Sequence, residues 1–190
     1  MGTRGTLRVY VNGELKIRQY NQWDSYPTGQ FHELCEFMSN PDNVKVLYGK
    51  LLHTKFFTRD EVEAITNNKW WAGEDSNTSP YYAADYYFMT ARDWGADILP
   101  LICMTPARYY RDRMPNGDMC YLKLADWADV FDVSDLEDEE GNYVIEINNH
   151  DGDITFLMTG DWHGVKRAYR SETGLPDMEQ LTKWEEEANE

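Results

Sequence analysis

The sequence predicts an α+β fold: a mainly antiparallel sheet with inserted helices and a C-terminal helix. Three observations predict it. Two runs of alternating apolar and polar residues flank Asn12-Gly13 near the start of the chain. Apolar residues at helical spacing occupy the middle, and three runs rich in β-branched and aromatic residues occupy the last third. The length suits a single α+β domain, residues 1–190, with residues 175–190 as a helical appendage.

An N-terminal β-hairpin is the clearest local signal. Asn-Gly supplies the positive φ angles of a type I′ turn, whose twist matches that of the flanking strands. On the first strand, Leu7, Val9 and Val11 fall on one face, and Arg8 and Tyr10 fall on the other. On the return strand, Leu15 and Ile17 alternate with Lys16 and Arg18.

Short helices are predicted after the hairpin, where apolar residues recur at helical spacing. The segments are 31–38 and 58–66, and the second begins with Thr58 and Glu61 at the spacing of a capping box. Residues 44–57 fit either a helix or a strand, and their apolar stripe favours the helix.

A long polar connection, residues 67–80, follows these helices and is predicted to be a loop. Ordered loops of this length are often functional. Residues 81–90 have helical content. Residues 96–104 fit either a further helical turn or a buried strand, because Pro100 limits a continuous helix.

The last third predicts a three-stranded antiparallel meander, because turn-rich segments separate three strand-like runs. The runs are 126–135, 143–149 and 154–160. Residues 174–190 then predict an amphipathic helix with Met178, Leu181 and Trp184 on its apolar side.

Charge limits the partners of this protein. The formal net charge is −16. Residues 1–60 carry eight Lys/Arg against six Asp/Glu, a balance of +2, and the rest carries ten against 28, a balance of −18. This field repels nucleic acid and anionic membranes, so an anionic ligand is expected at the N-terminal third.

The cell compartment is predicted from cysteines and apolar segments. Cys35, Cys103 and Cys120 are widely spaced and odd in number, as expected for reduced thiols of a cytoplasmic protein. The start of the chain has no signal-peptide apolar region, and no run approaches a membrane span. We therefore expect a cytoplasmic protein without membrane partners.

Familiar catalytic motifs are absent. The chain has no P-loop, no dinucleotide-binding GxGxxG, no HExxH and no nucleophile elbow, and its acidic turns lack EF-hand spacing. No metal or cofactor is predicted, and the sequence leaves open whether the protein is an enzyme.

A polar and aromatic corner is the main candidate site. The hairpin turn brings the far ends of its two strands together, so Arg4 and the segment Gln19–Tyr26 should be neighbours. The candidate binding residues are Arg4, Gln22, Trp23, Asp24 and Tyr26.

The residue types of this corner suit a nucleotide-like ligand. Arg4 can fork onto a phosphate or carboxylate, and Trp23 or Tyr26 can stack on a ring. Asp24 can orient Arg4 or accept a hydrogen bond from a ligand hydroxyl. The alternative is structural: an Arg4–Asp24 pair would lock the hairpin, and Trp23 would lie in the core.

A second polar cluster lies within "ARDWGAD". Arg92 and Asp97 are candidate ligand-binding residues in an otherwise apolar stretch, and an exposed helix end is the alternative explanation.

The start "MGTRG", then a hairpin, then "QYNQWDSYPTGQ", resembles a family of small phage and prophage proteins with relatives in bacteria and fungi. "ARDWGADIL" resembles a second stretch of that family, whereas the 67–80 loop and the acidic tail have no counterpart. The resemblance implies a phage or mobile-element setting, supports Arg4, Asp24 and Tyr26 as a site, and implies no particular reaction. The matching positions are Thr3, Arg4, Gly5, Tyr20, Asn21, Trp23, Asp24, Tyr26, Pro27 and Gly29.

Three functions remain open on this sequence. The first is a phage counter-defence protein that sequesters a small anionic, nucleotide-like signal. The second is an inhibitor that binds a host protein through the acidic run Asp126–Glu140. The third is a hydrolase, using either Asp24 with His32 or an N-terminal-nucleophile-like sheet. Exposed sheet faces would also permit a homo-oligomer.

Overall fold

The hairpin forms at the start of the chain in the computed structural model, which describes residues 3–56, 58, 60, 94–104, 122–124 and 140–190. Strand β1 (Gly5–Val11) pairs antiparallel with β2 (Glu14–Asn21). Asn12 and Gly13 have φ angles of 51° and 81°, as a type I′ turn requires. Leu7, Val9 and Val11 are buried on one face, which confirms the alternation predicted for β1.

Strand β2 departs from regular alternation at one point. The pairing register shifts between Val9 and Tyr10, so Val9 faces Ile17 and Tyr10 faces Leu15. This bulge leaves Lys16 without a paired residue on β1 and buries its side chain, which is only 5% exposed. Its ammonium group donates to the backbone carbonyl of Thr54 at 3.2 Å and lies 2.8 Å from Glu14 Oε1.

The main sheet joins the hairpin to a C-terminal meander. Its strand order is β2-β1-β5-β6-β7, with β5 (Gly141–His150), β6 (Asp153–Trp162) and β7 (Val165–Arg170). All neighbours are antiparallel except β1 and β5, which run parallel with Gly5 beside Gly141. The α+β prediction, with a mainly antiparallel sheet, inserted helices and a C-terminal helix, is confirmed.

Two helices follow the hairpin. A wide helical turn, Pro27–Phe31, leads into α1 (His32–Met38), and α2 spans Pro41–Leu51. Helix α2 begins where it does because the Asn40 side chain accepts a hydrogen bond from the backbone N–H of Asp42. Proline is tolerated at the next position, where its missing N–H would have no helical partner.

Short elements lie between α2 and β5 in the part of the chain that the structure describes. A two-stranded parallel sheet pairs β3 (Thr54–Phe56) with β4 (Leu122–Leu124). A 3₁₀ turn at Gly95–Asp97 runs into α3 (Ile98–Met104). Pro100 lies in the first turn of α3, where it removes no helical hydrogen bond.

Helix α4 (Met178–Ala188) closes the described chain and packs on the sheet. Asp177 and Gln180 form a reciprocal capping box at its start. The Trp184 indole N–H donates to Val165 O at 2.9 Å, and Trp184 fits only because residue 160 is glycine. A Cβ on Gly160 would lie 2.3 Å from the Trp184 ring.

The core lies between one face of the sheet and the helices. The sheet contributes apolar side chains from β1, β2, β5 and β6, and the helices contribute theirs from the other side. Phe31 packs against Tyr143 and Trp184, with ring centroids 5.1 and 5.3 Å apart. Fully buried members include Val9, Ile17, Phe31, Leu34, Leu47, Leu51, Leu99, Ile145, Met158, Leu181 and Trp184.

Several sequence-based boundaries change. The helix predicted over 44–57 ends at Leu51, and Thr54–Phe56 is a strand. Residues 96–104 are a 3₁₀ turn and a helix. The third meander strand that the structure describes is β7, which the sequence prediction missed because three of its six residues are charged, namely Lys166, Arg167 and Arg170. Met178 is 44% exposed and does not belong to the apolar side of α4.

Some predictions lie outside the described residues. These are the strand at 126–135, the loop at 67–80, the helical content of 81–90 and nearly all of the helix at 58–66. Within the ranges that are described, no helix is both long and apolar enough to cross a membrane.

Candidate functional site

The polar corner forms where the two hairpin strands end. We use the name corner for Arg4, Gln22, Trp23, Asp24 and Tyr26. Gly5 pairs with Asn21 at the last position of the β1–β2 ladder. Beyond it, the backbone N–H of Ser25 donates to Thr3 O at 3.3 Å. The backbone on either side of Arg4 therefore runs beside the segment that carries Trp23 and Asp24.

Buried polar groups hold this loop in place. Asn21 and Ser25 are both buried, and the Asn21 amide donates to the Ser25 hydroxyl at 2.9 Å and to the carbonyl of Trp23. From the neighbouring strand, the Tyr143 hydroxyl donates to the carbonyl of Ser25. Each bond satisfies a buried polar group, so movement of the loop would leave several groups without partners.

Two glycines let the loop approach the sheet. A Cβ on Gly5 would lie 2.6 Å from the Ser25 side chain, and a Cβ on Gly141 would lie 2.3 Å from Ser25 O. Real Cβ atoms do not approach other atoms so closely. The Ser25 backbone therefore rests directly on the parallel pair β1 and β5.

Asp24 occupies a special backbone position. Its φ is 56°, in the left-handed region that asparagine and aspartate tolerate better than most residues. Its carbonyl accepts from Gln30 N at 2.9 Å, and its carboxylate accepts from the Tyr26 hydroxyl at 3.2 Å. The loop thus closes on the wide helical turn, and the hydroxyl of Tyr26 is turned toward Asp24.

Gln30 connects the corner to the distant 3₁₀ turn. Its side-chain oxygen accepts from Ala96 N at 2.6 Å, and its amide donates to Glu33 Oε2 at 3.1 Å. This contact brings Asp97 to the same region as the corner. Asp97 is exposed, and Arg92 lies outside the described residues.

The side chains of the corner differ in exposure. Trp23 is 58% exposed, so a place in the core is wrong for this residue. Arg4 and Asp24 are exposed, and Tyr26 is half-buried. Gln22 is also half-buried, and its Oε1 accepts from the Tyr20 hydroxyl at 2.8 Å.

Acidic groups dominate the local charge. Burial raises the pKa of Glu33, and the charges of Asp97 and Asp24 raise it further. Burial also raises the pKa of the Tyr26 hydroxyl, with Asp24 as the next cause. The carboxylates of Asp24 and Asp97 therefore each lie close enough to Glu33 to influence its ionisation.

Two expected pairings do not form. Among the described residues, Arg4 makes no ion pair with Asp24, so the hypothesis that Asp24 orients Arg4 is wrong for this conformation. The ring of His32 lies 4.0 Å from Glu36 Oε1, whereas Asp24 bonds to Tyr26. An Asp24–His32 proton relay is not assembled.

Four residues whose contacts shape the surroundings of the corner were not predicted from the sequence. Ser25 and Asn21 are in the segment that the sequence analysis singled out, and their burial is not visible from residue type. Tyr143 and Glu33 carry no local signal. Their contribution depends on contacts across strands and turns.

The described residues form no group of three or more His, Cys, Asp or Glu side chains that could hold a metal ion. Cys35 and Cys103 are poor nucleophiles, because burial raises their pKa values to about 12 and about 11. The arrangement offers stacking, hydrogen bonding and charge to a ligand.

Comparison with known proteins finds no matching family model, no matching curated protein and no matching solved structure.

Proposed function

We propose that the protein binds a small nucleotide-like molecule stoichiometrically at the corner. One observation carries the proposal: Trp23 is 58% exposed on a loop whose backbone is held by buried hydrogen bonds. Exposing a large aromatic side chain gains nothing for folding. A fixed aromatic platform binds a planar ring with little further loss of entropy.

Each side chain of the corner has a role in this proposal. The Trp23 indole stacks on a base, as aromatic residues do in nucleotide sites. Arg4, which is exposed and has no carboxylate partner among the described residues, takes the phosphate. Asp24 accepts from a ligand amine or hydroxyl, and Tyr26 supports it.

The resemblance to phage proteins suggests the biological setting. Sequestration of a host signal nucleotide requires only tight binding, which suits a site without an assembled catalytic pair. We therefore propose counter-defence sequestration as the role. The negative charge of Glu33 and Asp97 would favour a ligand with one phosphate near Arg4 over a densely charged one.

Titration calorimetry with cyclic dinucleotides and ADP-ribose-type nucleotides tests this proposal. For a member of the panel that binds, Trp23→Ala should lower the affinity about tenfold or more, because stacking contributes about 1–3 kcal/mol per base. Val46→Ala removes apolar surface that is 45% exposed on α2 and should leave the affinity unchanged.

Arg4→Ala should weaken binding of the phosphate-bearing ligand, with Arg170→Ala as the matched exposed control. If Trp23→Ala and Arg4→Ala both bind the ligand as strongly as the wild-type protein does, the ligand binds elsewhere. A panel without any binder would contradict the nucleotide-like class.

Binding of a basic host protein is the second candidate function. The observation that favours it is the group of carboxylates near Trp23, namely Asp24, Glu33 and Asp97. An exposed tryptophan beside carboxylates suits a partner's arginine, which can stack on the ring and pair with an acid. Capture of a basic protein that is lost in high salt and in Trp23→Ala would support it.

A further inference from the structure

A separate cavity shares no residue with the corner. Its volume is about 490 Å³, within the range of small-molecule sites. Four parts of the chain form it: the end of α1, the start of α2, the first half of β6 with the turn before it, and the segment that follows β7. The lining includes Val44, Lys45, Ile154, Phe156, Ser171 and Leu175.

The walls of this cavity are mostly apolar and continue the core. Val44 is 4% exposed and belongs to the core, while Ile154, Phe156 and Leu175 are half-buried and pack against it. A ligand that covers these three half-buried side chains would remove apolar surface from water. The body of the ligand should therefore be apolar.

Two polar side chains of the cavity, Lys45 and Ser171, each have a hydrogen left to donate. Lys45 is exposed and makes no ion pair with any described residue. The Ser171 hydroxyl oxygen accepts from Phe156 N at 3.3 Å, which leaves its own hydrogen without a described acceptor.

The third polar side chain of the cavity is already used. The Ser39 hydroxyl donates to Glu36 O at 2.7 Å, so it is no further donor. An ammonium and a hydroxyl hydrogen both require an acceptor, and the ammonium prefers one that is charged. The polar end of the ligand should therefore be an anion.

We propose that this cavity binds an amphiphilic monocarboxylate, with its aliphatic chain on Ile154, Phe156 and Leu175 and its carboxylate at Lys45 and Ser171. The assignment is independent of the corner, since the two sites share no residue. A single carboxylate also suits a molecule of formal charge −16, which would repel a ligand of higher negative charge.

Calorimetric titration with octanoate, and with octanol as its neutral analogue, tests the proposal. Wild-type protein should bind octanoate about tenfold more tightly than octanol, because only the carboxylate uses the ammonium. Lys45→Met should remove this preference and Lys45→Arg should keep it. Lys183→Met removes another exposed lysine that does not line the cavity, and should change nothing.

A second variant tests the position of the aliphatic chain. Leu175→Trp places a larger side chain in the cavity from a loop, and should weaken binding of both probes. Circular dichroism and thermal melts establish that each variant is folded. The proposal is overturned if neither probe binds the wild type, if Lys45→Met leaves the octanoate preference intact, or if folded Leu175→Trp binds both probes as before.

Discussion

The loop that carries Trp23 and Asp24 is held in place by the contacts of Ser25, which is not itself a member of the corner. Ser25 is fully buried, and its hydroxyl, N–H and carbonyl each have a described partner. Gly141 is essential to this packing, because its hydrogen leaves room for the carbonyl of Ser25. The exposed side chains Trp23 and Asp24 are therefore carried by a rigid segment.

We expect Gly141→Ala to destabilise the protein by about 1–3 kcal/mol, since a methyl group there would lie 2.3 Å from Ser25 O. Gly49→Ala is the matched control. It lies within α2 with nothing inside 4 Å of the new Cβ, so it should stabilise by about 0.5–1 kcal/mol. Urea unfolding measures both, and an unchanged midpoint for Gly141→Ala would contradict the close approach.

Glu33 makes the stability of the fold depend on pH. Its pKa is raised on folding, so the folded state holds its proton more tightly than the unfolded state does. The stabilisation is complete below the ordinary glutamate pKa and is lost as the pH rises through the folded pKa.

Because a glutamine side chain cannot ionise, we expect Glu33→Gln to be more stable than wild type at neutral pH, by at most about 0.5 kcal/mol after solvent screening. The difference should shrink as the pH falls below the folded pKa of Glu33. Urea unfolding at several pH values tests this, with Glu186→Gln, at an exposed position of α4, as the control. A gain that grows on acidification would contradict the sign of the shift.

At the scale of elements, helix α4 packs against the helical turn at Pro27–Phe31, near the start of the chain. Trp184 is buried against Phe31 and Gly160, and the Glu185 carboxylate accepts from Thr28 Oγ1 at 2.7 Å and from Thr28 N at 3.3 Å. Thr28 lies in the wide helical turn that follows the corner. Helix α4 therefore holds the helical turn that directly follows the corner.

We expect Asp177→Ala to destabilise the protein by about 1 kcal/mol, because the first turn of α4 loses its side-chain cap and the capping box. Glu186→Ala, at an exposed position inside the same helix, should stay within about 0.5 kcal/mol of wild type. Thermal denaturation compares the two. Equal effects would show that the cap contributes nothing specific.

At the scale of the whole molecule, charge is the dominant feature. The formal net charge is −16, and the described ion pairs other than that of the buried Lys16 lie at the surface, such as Arg167 with Glu187 and Lys166 with Asp161. Surface ion pairs of this kind add little to the free energy of unfolding. The mutual repulsion of the carboxylates should therefore destabilise the folded state by more than these pairs stabilise it. The expectation that exposed sheet faces permit a homo-oligomer stays a prediction.

We expect the melting temperature to rise as sodium chloride increases from about 0.01 to 0.15 M, since screening shortens the reach of the repulsion from about 30 to 8 Å. Scanning calorimetry at fixed pH measures the melting temperature. A parallel series with sucrose at low salt shows how much a solute stabilises the protein without screening its charges. A melting temperature that falls with salt would indicate that ion pairs outweigh the repulsion.

Local sequence by itself determined the hairpin, the first helix after it and the C-terminal helix, whereas it left residues 44–57 open between helix and strand. The Asn12-Gly13 turn and the Asp177–Gln180 capping box act within a few residues, so a local pattern contains the whole cause. The same turn placed the two strand ends together and so located the candidate corner. Even there, the burial of Asn21 and Ser25 was not visible.

Only the tertiary structure decided the contacts between distant segments. The parallel pairing of β1 with β5, the bond from Tyr143 to Ser25 across 118 positions and the approach of Gln30 to Ala96 across 66 have no local signature. Strand β7 pairs with β6 despite its charged residues, because the backbone groups along that side of β6 need hydrogen-bond partners. Partners such as these are selected by burial and by satisfaction of backbone groups over the whole molecule, which no single stretch of sequence encodes.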